Sequence, residues 1–202
     1  MSRVPAIVLA SGSPYRRALL ERLGLPFEHM VPDADETPRD GEPPRERALR
    51  LAEAKARGVC AHRPHALVIG ADQVATLDGE MLRKPGTHEH TVDQLARASG
   101  RRATFFTGLC LVDARSGRSQ CDVVPYAVVF RRLSRRQIEA YVRREKPYDC
   151  AGGFKAEGLG VSLFQRMEGQ DPTALIGLPL IRLVDMFQNA GLDVLLLDVQ
   201  GA

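Results

Sequence analysis

"LASGSPYRRALLERLG", residues 9–24, joins an apolar run to a turn of small residues and then to an amphipathic segment. Val4–Ala10 is apolar throughout, as expected of a strand that is covered on both faces. Ser13 and Pro14 are residue types that begin a helix, and Gly24 is the type that ends one. A strand, a tight turn and a helix in this order predict the opening of an α/β fold.

The rest of the sequence continues the same alternation. Residues 65–77 predict a strand that is interrupted near Gly70, and Asp78-Gly79 predicts a hairpin turn after it. Two long strands are expected between residues 103 and 133, joined by the Ser-Gly turn at 116–117. Helical spacing or helix-capping residues occur in residues 45–60, 88–98, 134–145 and 178–191.

Length and composition place the protein in the ordinary globular class. The chain has 202 residues, 44% hydrophobic and 26% charged, with a formal net charge of +3. We therefore predict a single domain over residues 1–202, with two lobes, and a mild preference for anionic ligands. The apolar run at Ala6–Ala10 is too short for a secretory signal, so we expect a cytoplasmic protein with no membrane segment.

The four cysteines carry no metal-binding signature. Cys60, Cys110, Cys121 and Cys150 include no C-x-x-C pair. Their wide spacing predicts four reduced and mostly buried thiols.

Two adjacent arginines open the first predicted helix. Backbone N–H groups and the helix dipole favour an anion at such a position, and Arg16 and Arg17 add two permanent charges. These residues are compatible with a phosphate cradle or with a solvated helix start. Arginines here oppose the helix dipole, and this local conflict favours the functional interpretation.

Acidic and basic candidates follow. Asp33, Asp35 and Glu36 lie in a polar loop, whereas Asp72 follows the apolar "LVIGA" and needs a partner. Carboxylates with substrate phosphates are the ligands that Mg²⁺ takes. Three lysines are phosphate-binding candidates, although each alone is more typical of a surface: Lys55, Lys84 and Lys155.

The ordered motifs resemble those of a known family. "LASGSPYRRALLERLGLPFE", "DETPR", "GADQV", "KPG", "TGL", "YDCAGGFKAEGLG" and "GLPLI" follow one another here as they do in the Maf family of nucleoside triphosphate pyrophosphatases. The resemblance covers residues 6–192. It implies an elongated, ITPase-like mixed sheet with flanking helices, two lobes and a central cleft. It also implies a divalent metal, Mg²⁺ or Mn²⁺, a small-molecule nucleotide substrate and a homodimer.

Roles for individual residues follow from this resemblance. Asp72 matches the position assigned as proton acceptor. The positions that match the phosphate and metal site are Ser11, Arg16, Arg17, Glu36, Lys55 and Lys84, and Lys155 is a weaker phosphate candidate. Glu36 and Asp72 are the expected metal ligands.

Three residues indicate a branch of the family. Tyr15, Gln73 and Glu157 stand where the branch that cleaves dTTP and UTP usually has Arg, Thr and Gln, and the combination resembles the branch that cleaves 7-methyl-GTP. An aromatic ring and a carboxylate suit a cationic, N7-methylated base. Arg83 and Gly153 depart from the family's frequent Gly and Ser.

Two alternatives stay open at this stage. One is a pyrophosphatase for dTTP, UTP or other modified nucleotides. The other is a nucleotide- or RNA-binding regulator, which rests on the basic stretch 131–146. A solvated helix face explains that stretch better, and nucleic acid is not an expected partner.

Overall fold

The fold is built on one seven-stranded mixed sheet with helices on both faces. It is seen in a computed structural model that describes residues 5–197. Along the sheet the strands run β2-β1-β3-β5-β6-β7, with β4 attached to β3. The strands are β1 Ala6–Ala10, β2 Glu28–Met30, β3 Ala66–Leu77, β4 Glu80–Leu82, β5 Arg102–Asp113, β6 Ser119–Phe130 and β7 Phe164–Glu168. The helices are α1 Pro14–Glu21, α2 Pro44–Cys60, α3 His88–Ala98, α4 Arg135–Glu145, α5 Thr173–Ile176 and α6 Leu180–Asn189.

Most of the local predictions are confirmed by this architecture. Asp78 and Gly79 both have positive φ and join β3 to β4, and Ser134 with Gln137 forms the capping box of α4. Helix α3 occupies the predicted residues 88–98. The strand predicted over Val4–Ala10 is observed as β1, Ala6–Ala10, and Val4 lies outside the described residues.

The register between β1 and β3 fixes where the first turn lies. The two strands are parallel, and Ala10 pairs with Gly70. The turn that follows β1 at Ser11 therefore emerges beside Asp72, which lies two residues further along β3. This pairing brings the start of α1 and the middle of β3 to one place, although about 60 residues separate them in the chain.

Strand β3 runs through Gly70 without a break, so the predicted interruption is wrong. The glycine serves packing, because a Cβ at Gly70 would overlap the carbonyl oxygen of Ala52 and approach the amide nitrogen of Ala56 at 2.7 Å. A Cβ at Gly108 on β5 would likewise overlap the carbonyl oxygen of Ala48. Helix α2 therefore lies unusually close to the sheet, over β3 and β5.

The core is arranged around the two faces of this sheet. Alternate residues of β1 and β3 pack against α2 on one face and against α1 and α6 on the other. A further cluster joins the distal half of β3 to α3 and α4, with Phe105, Phe130, Phe154 and Phe164 in edge-to-face contact. Within residues 5–197, no helix has the length and apolar character needed to cross a bilayer.

The cysteine prediction is wrong for one pair. Cys110 on β5 faces Cys121 on β6 in the antiparallel register, and the two form a disulfide. Cys60 and Cys150 are free thiols, both half-buried. The pairing follows from strand register, which the spacing of the cysteines in the sequence does not reveal.

Candidate active site

The functional candidates converge on one cleft of about 750 Å³, which is joined to a smaller recess of about 370 Å³ at the first turn. Arg16, Glu36, Lys55 and Lys84 line both cavities, and Asp72 lines the larger one. The residues come from α1, α2, β3 and two loops. The cleft thus gathers side chains that the sequence associates only by residue type and by the family resemblance.

A buried lysine joins the two candidate acids. Lys55 Nζ lies 2.6 Å from Asp72 Oδ1 and 2.9 Å from Glu36 Oε1. Lys55 is only 8% exposed and Asp72 9%, so each charge is stabilised mainly by the other. The hydrogen bond from Lys55 lowers the pKa of Glu36 below its ordinary value, and the charges of Lys84 and Arg16 act in the same direction.

This contact depends on the close packing of α2. The helix places the small residues Ala48, Ala52 and Ala56 against the sheet, opposite Gly108 and Gly70. Lys55 follows on the same helix and reaches over β3 to Asp72, which pairs with Gly108 in the strand register. The two glycines therefore help to set the distance between the ammonium group and the carboxylate.

Arg16 lies at the start of α1 and points into the same cleft. Ser13 caps this helix by accepting a hydrogen bond from the Arg16 amide, and the Ser11 hydroxyl accepts one from Ser13 N. The guanidinium Nε donates to the carbonyl of Gly177 at 2.9 Å, which orients the group. Burial lowers the pKa of Arg16, whereas Asp72 and Glu36 oppose that change, and an arginine stays protonated under such conditions.

The donor set agrees with the predicted divalent metal. Glu36 and Asp72 each use one oxygen for Lys55, and no hydrogen bond within residues 5–197 occupies Asp72 Oδ2. Among these residues, no group of three or more His, Cys, Asp and Glu side chains gathers as a metal site. Mg²⁺ commonly takes one or two carboxylates and fills its other positions with water and substrate phosphates, so two acids beside a cationic cleft fit this ion.

Part of the cleft lining is acidic and aromatic. It consists of Tyr15, Asp149, Cys150 and Glu157, and Tyr15 and Asp149 also line the smaller recess beside Arg16 and Lys84. Burial raises the pKa of Tyr15, and a hydrogen bond from Cys150 and the charges of Asp149 and Glu157 raise it further. Burial also raises the pKa of Cys150 to about 12, so this thiol is protonated at neutral pH and is not a nucleophile.

Gln73 lies in the cleft but its amide nitrogen is already engaged. Nε2 faces Thr107 Oγ1 at 3.0 Å, the carbonyl of Ala174 at 2.9 Å and that of Leu175 at 3.1 Å. The side chain therefore connects β3 to α5. Only its carbonyl oxygen is left for a ligand, because none of the hydrogen bonds in the described part of the chain reaches Oε1.

Two predicted phosphate residues are not among those that line the cleft. Arg17 is exposed and lies 4.0 Å from Glu21, one turn along α1. Lys155 Nζ donates to the carbonyl of Glu145 at 2.9 Å, at the last residue of α4. A cation at this position stabilises the carboxyl end of α4, and a role of Lys155 in phosphate binding stays a prediction.

Sequence reasoning missed two residues that do line the cleft. Asp149 belongs to the "YDC" segment, and Arg47 lies on α2, where its guanidinium donates to the carbonyl of Glu36 at 3.3 Å. Neither has a local signature. The one signal that points to Asp149 is the position of Tyr148-Asp149-Cys150 directly before the glycine-rich segment.

The fold and the cleft define an α/β protein built to bind a polyanion beside two carboxylates. Residues 6–190 match the family described as Maf-like protein, and the chain belongs to this family. A protein of Methylobacillus flagellatus named 7-methyl-GTP pyrophosphatase is 55% identical over 192 residues, which cover 95% of this chain and all of that protein. A protein of the same name from Pseudomonas aeruginosa is 53% identical, with the same coverage of both chains.

A solved structure supports the fold. The Ham1 protein of Staphylococcus aureus is 14% identical to this chain and superposes with a TM-score of 0.53, over 92% of this chain and 99% of that one. At this identity the likeness concerns the fold alone. It agrees with the predicted mixed sheet, flanking helices and ITPase-like architecture.

Proposed function

We propose that the protein is a nucleoside triphosphate pyrophosphatase that hydrolyses 7-methyl-GTP to 7-methyl-GMP and pyrophosphate. The single observation that carries this proposal is the composition of the cleft lining. It combines the cations Arg16, Lys55 and Lys84 with the aromatic ring of Tyr15 and the carboxylates of Asp149 and Glu157. 7-Methyl-GTP matches both sets of side chains, since its triphosphate is anionic and its methylated base carries a positive charge.

The cations of the cleft would hold the triphosphate. Arg16 is oriented by Gly177 and presents a planar group suited to phosphate oxygens, and Lys84 adds a second charge from the loop after β4. Glu36 and Asp72 would hold Mg²⁺ or Mn²⁺ with the substrate phosphates. When bound, such an ion offsets the charge of the triphosphate and of the leaving pyrophosphate.

Asp72 would direct the attacking water. Its Oδ1 is fixed by Lys55 at 2.6 Å, so Oδ2 would hydrogen-bond the attacking water, and Asp72 would help to hold the metal through water and not directly. The water oxygen bonds to the α-phosphorus, the bond from that phosphorus to the bridging oxygen breaks, and pyrophosphate leaves. The proton of the water passes to Asp72 or through it to solvent. Arg16 and the lysines stabilise the charge that develops on the leaving group.

The aromatic and acidic side chains of the cleft would select the methylated base. Tyr15 offers an aromatic face to a cationic ring. Glu157 offers a carboxylate that can accept hydrogen bonds from the guanine N1–H and amino groups, and Asp149 adds a second negative charge nearby. A cationic base gains more from these two carboxylates than a neutral base does.

Pyrophosphate release from a panel of nucleotides tests the proposal. Methylated and unmethylated NTPs, including GTP, dTTP and UTP, are compared with and without metal. We expect 7-methyl-GTP to be cleaved fastest and Asp72→Asn to lower kcat by roughly 10²-fold or more. Asp93→Asn, at an exposed position of α3, is the control and should leave turnover unchanged.

Other outcomes of the same panel decide the alternatives. Equal or faster cleavage of dTTP and UTP would assign the protein to the other branch of the family. Tight, salt-sensitive RNA binding without pyrophosphate release would support the regulator.

Glu157→Gln should reduce the preference for 7-methyl-GTP over GTP, and an unchanged preference would remove Glu157 from base recognition. From the family resemblance we also propose that the protein is a homodimer. Its molar mass in solution, measured by light scattering, tests this.

A further inference from the structure

A helix side chain joins two segments that line the cleft. Gln94 lies half-buried on α3, outside the cleft itself. With its amide oriented to match its neighbours, Nε2 donates to the carbonyl of Arg83 at 3.1 Å and Oε1 accepts from the amide of Gly153 at 3.2 Å. Arg83 immediately precedes Lys84, and Gly153 lies four residues before Glu157. One side chain thus contacts the backbone of the loop that carries Lys84 and of the segment that carries Glu157.

The backbone at each end is shaped for this contact. Gly153 has a φ of +74°, after Gly152 at +84°, a left-handed pair that side chains other than glycine rarely adopt. The Gly153 amide is shared between Gln94 and the carbonyl of Cys150, which lies at 3.0 Å. A Cβ at Gly153 would lie 3.5 Å from the Gln94 amide group, so the two residues are in direct contact.

A main-chain hydrogen bond runs alongside this connection. Gly86 N donates to the carbonyl of Tyr148 at 2.9 Å, which links the same loop to the start of the "YDCAGG" segment. The loop that carries Lys84 is therefore connected to the glycine-rich segment twice. The Gln94 contact is the one that a side-chain substitution can remove.

We propose that Gln94 is a positioning residue, which fixes the phosphate-binding loop at Lys84 relative to the base-binding segment at Glu157. This inference rests on the proposed function of the cleft. A nucleotide that contacts both the loop at Lys84 and the segment at Glu157 requires a fixed distance between them, because a displacement of about 1 Å can lower the rate by a large factor. Gln94 sets this separation without touching the substrate.

The two hydrogen bonds can be separated by substitution. Gln94→Leu removes both at similar side-chain size. Gln94→Glu keeps an acceptor for the Gly153 amide but turns a carboxylate oxygen toward the carbonyl of Arg83. Asp93→Asn, on the exposed neighbouring position of the helix, is the matched control.

Steady-state kinetics with 7-methyl-GTP and GTP provide the first measurement. We expect Gln94→Leu to lower kcat/KM for 7-methyl-GTP roughly tenfold and to reduce the preference for it over GTP. Gln94→Glu should lower kcat/KM for both nucleotides alike and keep the preference, because the base side retains its hydrogen bond. A loss of folded protein would lower kcat/KM for 7-methyl-GTP and GTP alike, and would leave the preference between them unchanged in both variants. A wild-type preference in Gln94→Leu, or an equal loss of preference in Gln94→Glu, would overturn the proposal.

Amide hydrogen exchange provides a measurement that does not depend on activity. Gly153 should exchange faster in Gln94→Leu than in the wild type and in Asp93→Asn, and unchanged exchange would contradict the contact. If the wild type fails to prefer 7-methyl-GTP, the proposed function fails while this measurement still decides whether Gln94 holds the segment.

Discussion

Arg16 and Arg17 are adjacent residues of one type, but the fold gives them different surroundings. Arg16 donates to Gly177 inside the cleft, whereas Arg17 is exposed beside Glu21. A lysine keeps the charge but loses the planar group that holds both a carbonyl and a phosphate. We expect Arg16→Lys to raise KM for the nucleotide by about tenfold or more, and Arg17→Lys to have a smaller effect.

Initial rates over a range of nucleotide concentrations check this prediction. The adjacent substitution is its own control, since both variants conserve net charge and helix position. If Arg17→Lys raised KM as much as Arg16→Lys, the exposed arginine would have to enter the cleft when the nucleotide binds, and the sequence-based assignment of both residues would be correct.

The carboxyl of Glu36 should titrate according to its contact with Lys55. Because Lys55 lowers the pKa of Glu36, this pair stabilises the fold at pH values above the ordinary pKa of glutamate. The stabilisation is lost as the pH falls through the lowered pKa of the folded protein. Lys55→Met should therefore move the titration of Glu36 to higher pH.

Carbon NMR of the labelled glutamate carboxyls measures this midpoint. Lys84→Met is the matched control, because the charge of Lys84 also lowers the pKa of Glu36 but makes no hydrogen bond to it. The shift should be smaller in that variant. An unchanged midpoint in Lys55→Met would show that the contact with Lys55 does not determine this pKa.

At the scale of elements, the distance between α2 and the sheet controls the site. A Cβ at Gly108 would overlap the carbonyl of Ala48 and push the helix away from β5. Gly108→Ala should therefore destabilise the protein by about 1–3 kcal/mol. It should also weaken the contact between Lys55 and Asp72 and lower kcat.

Denaturant unfolding and kinetics on one variant test both effects. Gly41→Ala is the control, because a Cβ there meets open space and only its positive φ of +67° is unfavourable. That variant should lose stability, by about 1 kcal/mol, without losing turnover of the folded enzyme. Normal stability in Gly108→Ala would show that α2 adjusts its position freely.

The same helix shows what the sequence predicts and what it does not. The amphipathic pattern of 45–60 and the capping residues of α1 and α4 are local signals, and these helices were predicted near their observed bounds. Gly70 was interpreted as a break because glycine weakens a strand. Its actual role depends on a helix that packs against it from a distant part of the chain, which no local pattern reports.

The candidate site divides in the same way. Asp72 was recognisable because a carboxylate after a buried strand needs a partner, and Lys55 provides it. Lys155 was associated with phosphate through its glycine-rich context, but its ammonium group reaches the end of α4. Gln94 and Asp149 have no unusual local context, so their contacts become visible only in three dimensions.

For the whole molecule, the distribution of charge matters more than the net charge of +3. Five cations and four acids line the cleft: Arg16, Arg47, Lys55, Arg83 and Lys84, and Glu36, Asp72, Asp149 and Glu157. Because Lys55 already partly neutralises Glu36 and Asp72, the protein by itself offers a divalent ion few free ligands. In the proposed reaction the triphosphate would therefore supply much of the metal coordination.

Metal removal tests this arrangement. We expect EDTA to abolish pyrophosphate release, and Mg²⁺ or Mn²⁺ to restore it. Glu36→Gln should raise the concentration of Mg²⁺ needed for half-maximal activity, whereas Asp33→Asn, in the same loop and exposed, should not. Lys55 keeps its contact with Asp72 in both variants, so a difference between them reports on the Glu36 carboxylate. Full activity in EDTA, or equal metal dependence of the two variants, would mean that Glu36 serves only to balance the charge of Lys55.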